Sequence, residues 1–197
     1  SVHIQPMDAP RICILTVTND NKNQIVWEKF SGTGIDSILI YRETNVTNQY
    51  RKIGSVAYDH LSRFIDTQSN PDVQASSYKI SLLDSCGFES AQSELSKTIH
   101  LTINKGQGTT WNLIWNDYIG FSANTYNIYR GTTLTTLAQI GSTTAGNTSF
   151  SDLSAPEGNV FYQIEAVSPY PCDQTKASVK STLSNIATNV KSTGINE

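Results

Sequence analysis

The stretch "ILIYRETN" at residues 38–45 recurs as "YNIYRGTT" at residues 126–133, with Tyr41 and Tyr129 in the same frame and each followed by arginine. In both stretches every second position is apolar or aromatic, Ile38 and Ile40 in the first and Tyr126 and Ile128 in the second, which is typical of a β-strand that buries one face. A Tyr-Arg pair at a fixed interval is either a binding device or the mark of a module that is present twice. The rest of the chain decides between these interpretations.

Five further features recur in the same order along the chain. They are Trp27 with Trp115, "KIGS" (52–55) with "QIGS" (139–142), "SRFIDT" (62–67) with "TSFSDL" (148–153), "SSYKI" (76–80) with "VFYQI" (160–164), and "SELS" (93–96) with "STLS" (181–184). Because the matches keep their order, they indicate an internal repeat rather than chance. We predict two modules, residues 1–102 and 103–197.

The fold class follows from the spacing of the short alternating runs. They return about every ten residues, are bounded by Gly, Asn, Asp or Pro, and leave no room for a sustained helical period. The second half is rich in Thr, Ser and Asn, which favour strands and turns. The sequence therefore predicts an all-β protein with antiparallel sandwiches.

The alternation also assigns a place to each Tyr-Arg pair. It directs Ile40 and Ile128 to the core and the tyrosine after each of them to the outer face of a sheet. Arg42 and Arg130 then lie at the end of a strand, where a guanidinium can pair with a carboxylate or lie across an aromatic ring. We therefore interpret the pair as a register mark of the third strand and not as a ligand site.

Each copy has a tryptophan in its second strand, a third strand that ends in Tyr-Arg, and an aspartate before a polar loop. A tyrosine then opens a long strand, and a Ser-rich strand follows. This pattern resembles a fibronectin type III domain, twice over nearly the whole chain. The stretch "FIDTQSNPDVQASSYKISLLDSCGFESAQSELSKTI" (64–99) is similar to bacterial members. The resemblance implies two immunoglobulin-like β-sandwiches in tandem, of the kind common in secreted and surface bacterial proteins, including type IX-secreted ones.

Two repeated side chains carry specific expectations. The resemblance implies that Tyr78 and Tyr162 form tyrosine corners, in which the hydroxyl binds a backbone group upstream. Asp66 and Asp152 come at the end of a strand, where a carboxylate can accept hydrogen bonds from turn amides. Both expectations concern the stability of the fold.

The three cysteines, Cys13, Cys86 and Cys172, have no C-x-x-C spacing, so neither a zinc site nor a redox motif is predicted. One disulfide with a free thiol and three free thiols both agree with the sequence. The fibronectin strand order implies a Cys13–Cys86 disulfide, because it brings the Cys86 turn to the pole where the first strand begins. Tyr170, in "SPYPC", is expected to be partly buried between the modules.

No motif in the chain predicts catalysis, a cofactor or a metal. The three histidines are scattered, and "YDH" at 58–60 is expected to be an exposed turn. Nucleic acid is excluded as a partner because neither half carries a basic stripe and the net charge is −3. No apolar stretch reaches the roughly 20 residues that a membrane span needs.

Ligand binding remains the more plausible activity, since sandwich modules present ligands on polar loops at one pole. The aromatic residues expected at the free pole of the first module are Phe30, Tyr58 and Phe88. Such rings could stack on a sugar or a protein partner. The alternative is that Phe30 and Phe88 cap the edge of the core.

We therefore expect a non-catalytic extracellular pair of modules that spaces and presents neighbouring domains of a larger secreted or surface polypeptide, with a role in adhesion. One alternative is a carbohydrate- or protein-binding module that uses the free pole to bind a glycan or a surface protein. A second alternative is an accessory region of a polysaccharide-degrading enzyme whose chemistry lies on another domain.

Overall fold

Alternating runs of Ile, Val, Tyr and Thr form short antiparallel strands throughout the chain. A computed structural model of the protein describes residues 10–29, 32–172 and 179–190. The described residues form fifteen β-strands and no helix. The strands assemble into four sheets, two in each half of the chain.

The first sandwich holds seven strands in two sheets, ordered β1-β2-β5 and β4-β3-β6-β7. The strands are β1 (Ile12–Val17), β2 (Asn23–Trp27), β3 (Ile35–Glu43), β4 (Tyr50–Ala57), β5 (Arg63–Asp66), β6 (Ser77–Asp84) and β7 (Ser96–Lys97). "ILIYR" lies in the centre of the four-stranded sheet, where it pairs with β4 and β6.

The second sandwich repeats this order, with sheets β12-β9-β8 and β11-β10-β13-β14 and with β15 paired to β13. Its strands are β8 (Leu101–Lys105), β9 (Trp111–Trp115), β10 (Thr125–Gly131), β11 (Ala138–Thr144), β12 (Ser149–Asp152), β13 (Phe161–Cys172), β14 (Val179–Leu183) and β15 (Ala187–Thr188). The predicted all-β fold of two fibronectin type III-like sandwiches is confirmed. The boundary after residue 102 stays a prediction; β8, which begins at Leu101, pairs with β9.

The repeated apolar residues form the core between the sheets. Trp27 and Trp115 are both buried, and Ile40 and Ile128 have no exposed surface. Trp115 packs edge-on against Tyr126, with ring centroids 5.7 Å apart. The predicted inward direction of Ile40 and Ile128 is therefore confirmed.

The repeated glycine of "KIGS" and "QIGS" makes room for a ring from the opposite sheet. A Cβ atom on Gly54 would lie 2.5 Å from a ring carbon of Phe64, and one on Gly141 would lie 2.9 Å from a ring carbon of Phe150. Both distances are shorter than real carbon contacts. Glycine is therefore required where β4 and β11 cross the phenylalanine of β5 and β12.

We expect Gly54→Ala and Gly141→Ala each to lower the free energy of unfolding by about 1–3 kcal/mol, because the added methyl group overpacks the core. Urea denaturation measures the change. Ser55→Ala and Ser142→Ala, at the exposed next positions, are matched controls that should stay within about 0.5 kcal/mol of the parent. Equal losses in the glycine and serine variants would contradict the packing argument.

Candidate functional site

The arginine of each Tyr-Arg pair binds the repeated aspartate of the opposite sheet. Arg42 Nη1 donates a hydrogen bond to Asp66 Oδ2 at 2.6 Å. Arg130 Nη1 donates to both carboxylate oxygens of Asp152, at 2.9 and 2.7 Å. Of the two predicted contacts, an aromatic ring or a carboxylate, both arginines form the one with a carboxylate, which ties β3 to β5 and β10 to β12 across each sandwich.

The repeated tyrosines bind the same carboxylates. The hydroxyls of Tyr78 and Tyr162 donate to Asp66 Oδ2 and Asp152 Oδ2, each at 2.7 Å. The prediction that these hydroxyls bind a backbone group was wrong. A carboxylate held in place by arginine is the stronger acceptor, since hydrogen bonds to ionised groups exceed those to neutral carbonyls.

The turn after each aspartate is held by the same side chain. The backbone amide of Gln68 donates to Asp66 Oδ1 and the backbone amide of Ser154 donates to Asp152 Oδ1, both at 3.1 Å. The prediction that these carboxylates accept turn amides is confirmed. Each aspartate therefore joins a strand, a turn, an arginine and a tyrosine, which is a structural role.

The electrostatic effects within the Asp–Arg–Tyr group are clearest in the second sandwich. Burial alone would raise the pKa of Asp152, but hydrogen bonds from Arg130, Tyr162 and the Ser154 amide lower it below its ordinary value. Burial and the nearby carboxylate raise the pKa of the Tyr162 hydroxyl. The carboxylate is thus ionised and the phenol neutral over the physiological pH range.

The tyrosines of the two Tyr-Arg pairs lie on the outer sheet faces, as predicted. Tyr41 donates to Glu89 Oε1 at 2.6 Å, and Tyr129 donates to Glu165 Oε2 at 2.8 Å. Both tyrosines are partly exposed. At the surface, Tyr41 ties β3 to the segment after β6, and Tyr129 ties β10 to β13.

Of the three aromatic residues predicted at the free pole, the structure describes two, Tyr58 and Phe88. Phe30 lies outside the described residues. Tyr58 is half-buried beneath the Lys29 ammonium group, 5.3 Å from the ring centre, beside a cavity of about 10 Å³. Phe88 is 62% exposed, so the alternative prediction that it caps the edge of the core is wrong. Ligand contact at this pole stays a prediction.

The disulfide joins Cys13 to Cys172 and not Cys13 to Cys86, so the predicted pairing was wrong. Cys13 packs with Ile14 and Val26 on the face of the sheet that contacts the second sandwich, where Cys172 ends β13. Cys86 is a free, exposed thiol in the turn after β6. The bond therefore links the two sandwiches.

Hydrogen bonds of the residues that follow Cys13 in β1 also join the two sandwiches. Thr182 Oγ1 donates to the Leu15 carbonyl at 2.5 Å, and the Leu183 amide donates to Thr16 Oγ1 at 2.9 Å. The Leu15 amide donates to the hydroxyl of Tyr118 at 3.2 Å. β14 and the loop after β9 thus cover β1, an edge strand that would otherwise expose unpaired backbone groups.

The short connection between the sandwiches is held as well. Lys97 and Ile119 exchange two backbone hydrogen bonds, of 2.8 and 3.2 Å, across the junction. The His100 amide donates to Asn116 Oδ1 at 2.9 Å, and its ring Nδ1 lies 2.8 Å from the Pro71 carbonyl. The linker therefore contacts both sandwiches.

Tyr170 does not fill this contact. It is 78% exposed, so the prediction that it is partly buried between the modules was wrong. Tyr118, 7% exposed, and Phe121 occupy the interface instead, with ring centroids 4.5 Å apart. Burial raises the pKa of Tyr118, so its hydroxyl is neutral. The prediction followed the Pro-Tyr-Pro pattern and overlooked "NDYIGF", an aromatic loop at the same pole.

The described residues bring few ionisable groups together for chemistry. His60 and Asp59 lie 3.8 Å apart with side chains 71% and 85% exposed, which confirms the predicted exposed turn. Among the described residues, no group of three or more His, Cys, Asp or Glu could hold a metal ion. None of them belongs to a helix that could span a membrane.

Comparisons with known proteins add structural likenesses only. No protein-family model matches the chain, and no curated protein sequence is significantly similar to it. Similar solved structures include the pectate lyase Pel3 from Pectobacterium carotovorum, with a TM-score of 0.41 and 18% identity over 48% of this chain. The chain spans 27% of that enzyme.

Two structures with fibronectin type III domains cover more of the chain. The chicken CNTN1 FN1–FN3 domains match 92% of this chain and 68% of theirs, with 11% identity and a TM-score of 0.37. The two-domain segment from chicken tenascin matches 89% of this chain and 98% of its own, with 12% identity and a TM-score of 0.34. The strand order described above, repeated in both halves, defines the class: a tandem of fibronectin type III-like β-sandwiches.

Proposed function

We infer that the chain is a non-catalytic pair of modules that spaces and presents neighbouring domains of a larger secreted or cell-surface protein, with a role in adhesion. The observation that carries the proposal is the junction, in which a disulfide and hydrogen bonds join β1 to the second sandwich. A spacer must hold its two ends at a fixed distance and direction, and this junction provides such a constraint.

The physical argument concerns relative motion. Adjacent domains move against each other by default unless their interface is large, apolar or cross-linked. Here Ile14 and Val26, on the outer face of a sheet, have no exposed surface because Cys172 and Phe121 pack over them. The contact therefore combines apolar burial, hydrogen bonds and a covalent bond.

The disulfide also supports the proposed location outside the cytosol. Disulfides persist in secreted and surface proteins and are rare where cellular thiols keep cysteines reduced. The Cys13–Cys172 bond closes a loop of sequence separation 159. An oxidising compartment would therefore favour the joined form of the two sandwiches, and a bacterial cell surface is one such setting.

Residual dipolar couplings of the oxidised protein test the proposed rigidity. We expect the amides of both sandwiches to fit one common alignment tensor, because the junction fixes their relative orientation. As an internal reference, each sandwich fitted alone should yield the same tensor magnitude. Two tensors of clearly different magnitude would show independent motion and would contradict the spacer proposal.

A further inference from the structure

A polar cleft of about 390 Å³ lies at the pole of the first sandwich opposite the predicted aromatic one. Its walls are the ends of β3 and β4, the loop between them, and the loop at 68–76 between β5 and β6. A volume of this size falls within the range of small-molecule sites. The cleft is separate from the contact between β1 and the second sandwich.

The loop at 68–76 is held in place from several sides. Ser69 Oγ accepts a hydrogen bond from the backbone amide of Asn23 at 2.8 Å, and Lys22 Nζ donates to the Ser69 carbonyl at 2.9 Å. Farther along the loop, the Ser76 amide donates to Thr98 Oγ1 at 2.9 Å. A wall fixed in this way is pre-organised, which lowers the entropy cost of binding a ligand.

Several planar polar side chains on the cleft have unused hydrogen-bonding capacity. Within the described part of the chain, the amide side chains of Asn45, Gln68, Asn70 and Gln74 form no hydrogen bond with protein groups, and neither does the Arg51 guanidinium. The hydroxyl and the carbonyl of Ser69 and the backbone amide of Ser76 are hydrogen-bonded, whereas these five side-chain groups are not. They are available to a ligand.

Arg51 stands out because it lies directly opposite Arg42 in the β3–β4 ladder. Like charges at opposite positions destabilise a sheet. Asp66 neutralises Arg42, whereas Arg51 has no ion-pair partner among the described residues. The corresponding ladder position in the second sandwich, opposite Arg130, is Ala138. The extra arginine is therefore not needed for the fold.

The other charged group on the cleft is Glu43. It pairs with Tyr50 at the next ladder position, so its side chain starts on the opposite face from Arg51. Its Oε1 accepts a hydrogen bond from the backbone amide of Asn48 at 2.7 Å, which closes the loop after β3. Glu43 keeps its negative charge but is tied to the loop after β3, whereas no ion pair or hydrogen bond among the described residues holds the Arg51 guanidinium.

We propose that this cleft binds a carboxylate-bearing saccharide, with Arg51 binding the carboxylate and the amide side chains binding the hydroxyls. A guanidinium presents paired donors that match a carboxylate, and amides offer both donors and acceptors to vicinal hydroxyls. The lining includes few apolar side chains, chiefly the exposed Val73. A peptide ligand would need an apolar anchor pocket, which this lining does not supply.

The test titrates a tetrasaccharide of uronic acid into the isotopically labelled chain and follows amide chemical shifts. We expect shifts at residues 42–45, 51 and 68–77, and an affinity lowered at least about tenfold in Arg51→Gln. Lys52→Gln is the matched control: it removes the same charge from an exposed neighbour that pairs with Tyr41 on the outer face. It should change the affinity by less than about twofold.

Thermal unfolding shows that both variants are folded, since both side chains are exposed. Absence of shifts at about 10 mM tetrasaccharide would overturn the proposal. Equal binding of its neutral methyl ester, or equal losses in the two variants, would refute carboxylate recognition by Arg51. Tighter binding of an oligoglutamate peptide would replace the saccharide by an acidic peptide and would equally refute the proposal.

Discussion

The double variant Cys13→Ser/Cys172→Ser is expected to unfold with a free energy about 4–5 kcal/mol lower than that of the parent, by the chain-entropy relation for long loops. The disulfide closes a loop of sequence separation 159, so it restricts the unfolded chain strongly. It also holds β1 against the second sandwich, where Ile14 and Val26 are buried. Urea denaturation under non-reducing conditions measures the loss.

Cys86→Ser is the matched control for this double variant. It replaces a free, exposed thiol and should leave the unfolding curve within about 0.5 kcal/mol of that of the parent. Mass spectrometry of the native protein should show two hydrogens gained on reduction and one thiol that reacts beforehand. Three reactive thiols in the native protein, or equal losses in the control, would contradict the assigned bond.

Asp152→Asn is expected to cost about 3–5 kcal/mol, which is typical of removing one partner of a buried ion pair. The side chain is 4% exposed and binds Arg130, Tyr162 and the backbone amide of Ser154, so the variant leaves the half-buried Arg130 guanidinium without its countercharge. Asp59→Asn makes the same change at an 85% exposed position. Losses of similar size in the two variants would contradict the attribution of the loss to the buried contacts of Asp152.

The difference in unfolding free energy between the parent and Asp152→Asn depends on pH with a definite sign. Because the pKa of Asp152 is lowered in the folded protein, its stabilisation is fully present above the ordinary value of 3.8 and is lost as the pH falls below it. The gap in unfolding free energy between the parent and Asp152→Asn should therefore be constant from neutral pH to about 5 and narrow below about 4. A gap that widens on acidification would contradict the assignment.

The sequence predicted what depends on local pattern and on the repeat. Period-2 alternation directs Ile40 and Ile128 inward, and the same register sets Arg42 and Arg130 opposite an aspartate. Such features follow from the geometry of one strand and its neighbours. These features can therefore be predicted without knowledge of how the two sandwiches pack.

What the sequence did not predict depends on contacts between distant parts of the chain. Cys13 pairs with Cys172 because the second sandwich packs over β1, and no local pattern reports that contact. The cleft beside Arg51 likewise needs the pairing of Arg51 with Arg42 and the placement of the loop at 68–76. A polar Asn/Gln/Ser-rich loop is common in any sandwich, so its composition alone indicated no site.

The Cys13–Cys172 bond has a mechanical consequence. When tension is applied between the two ends of the chain, the force passes through the disulfide and bypasses the loop that it closes, with its sequence separation of 159. At about 3.3–3.6 Å per extended residue, this withholds roughly 550 Å of chain from stretching. The entire first sandwich from Cys13 onward lies inside the loop, and so does most of the second. While the bond is intact, only residues outside the loop, those of β14 and β15 among them, can lengthen a pulled protein.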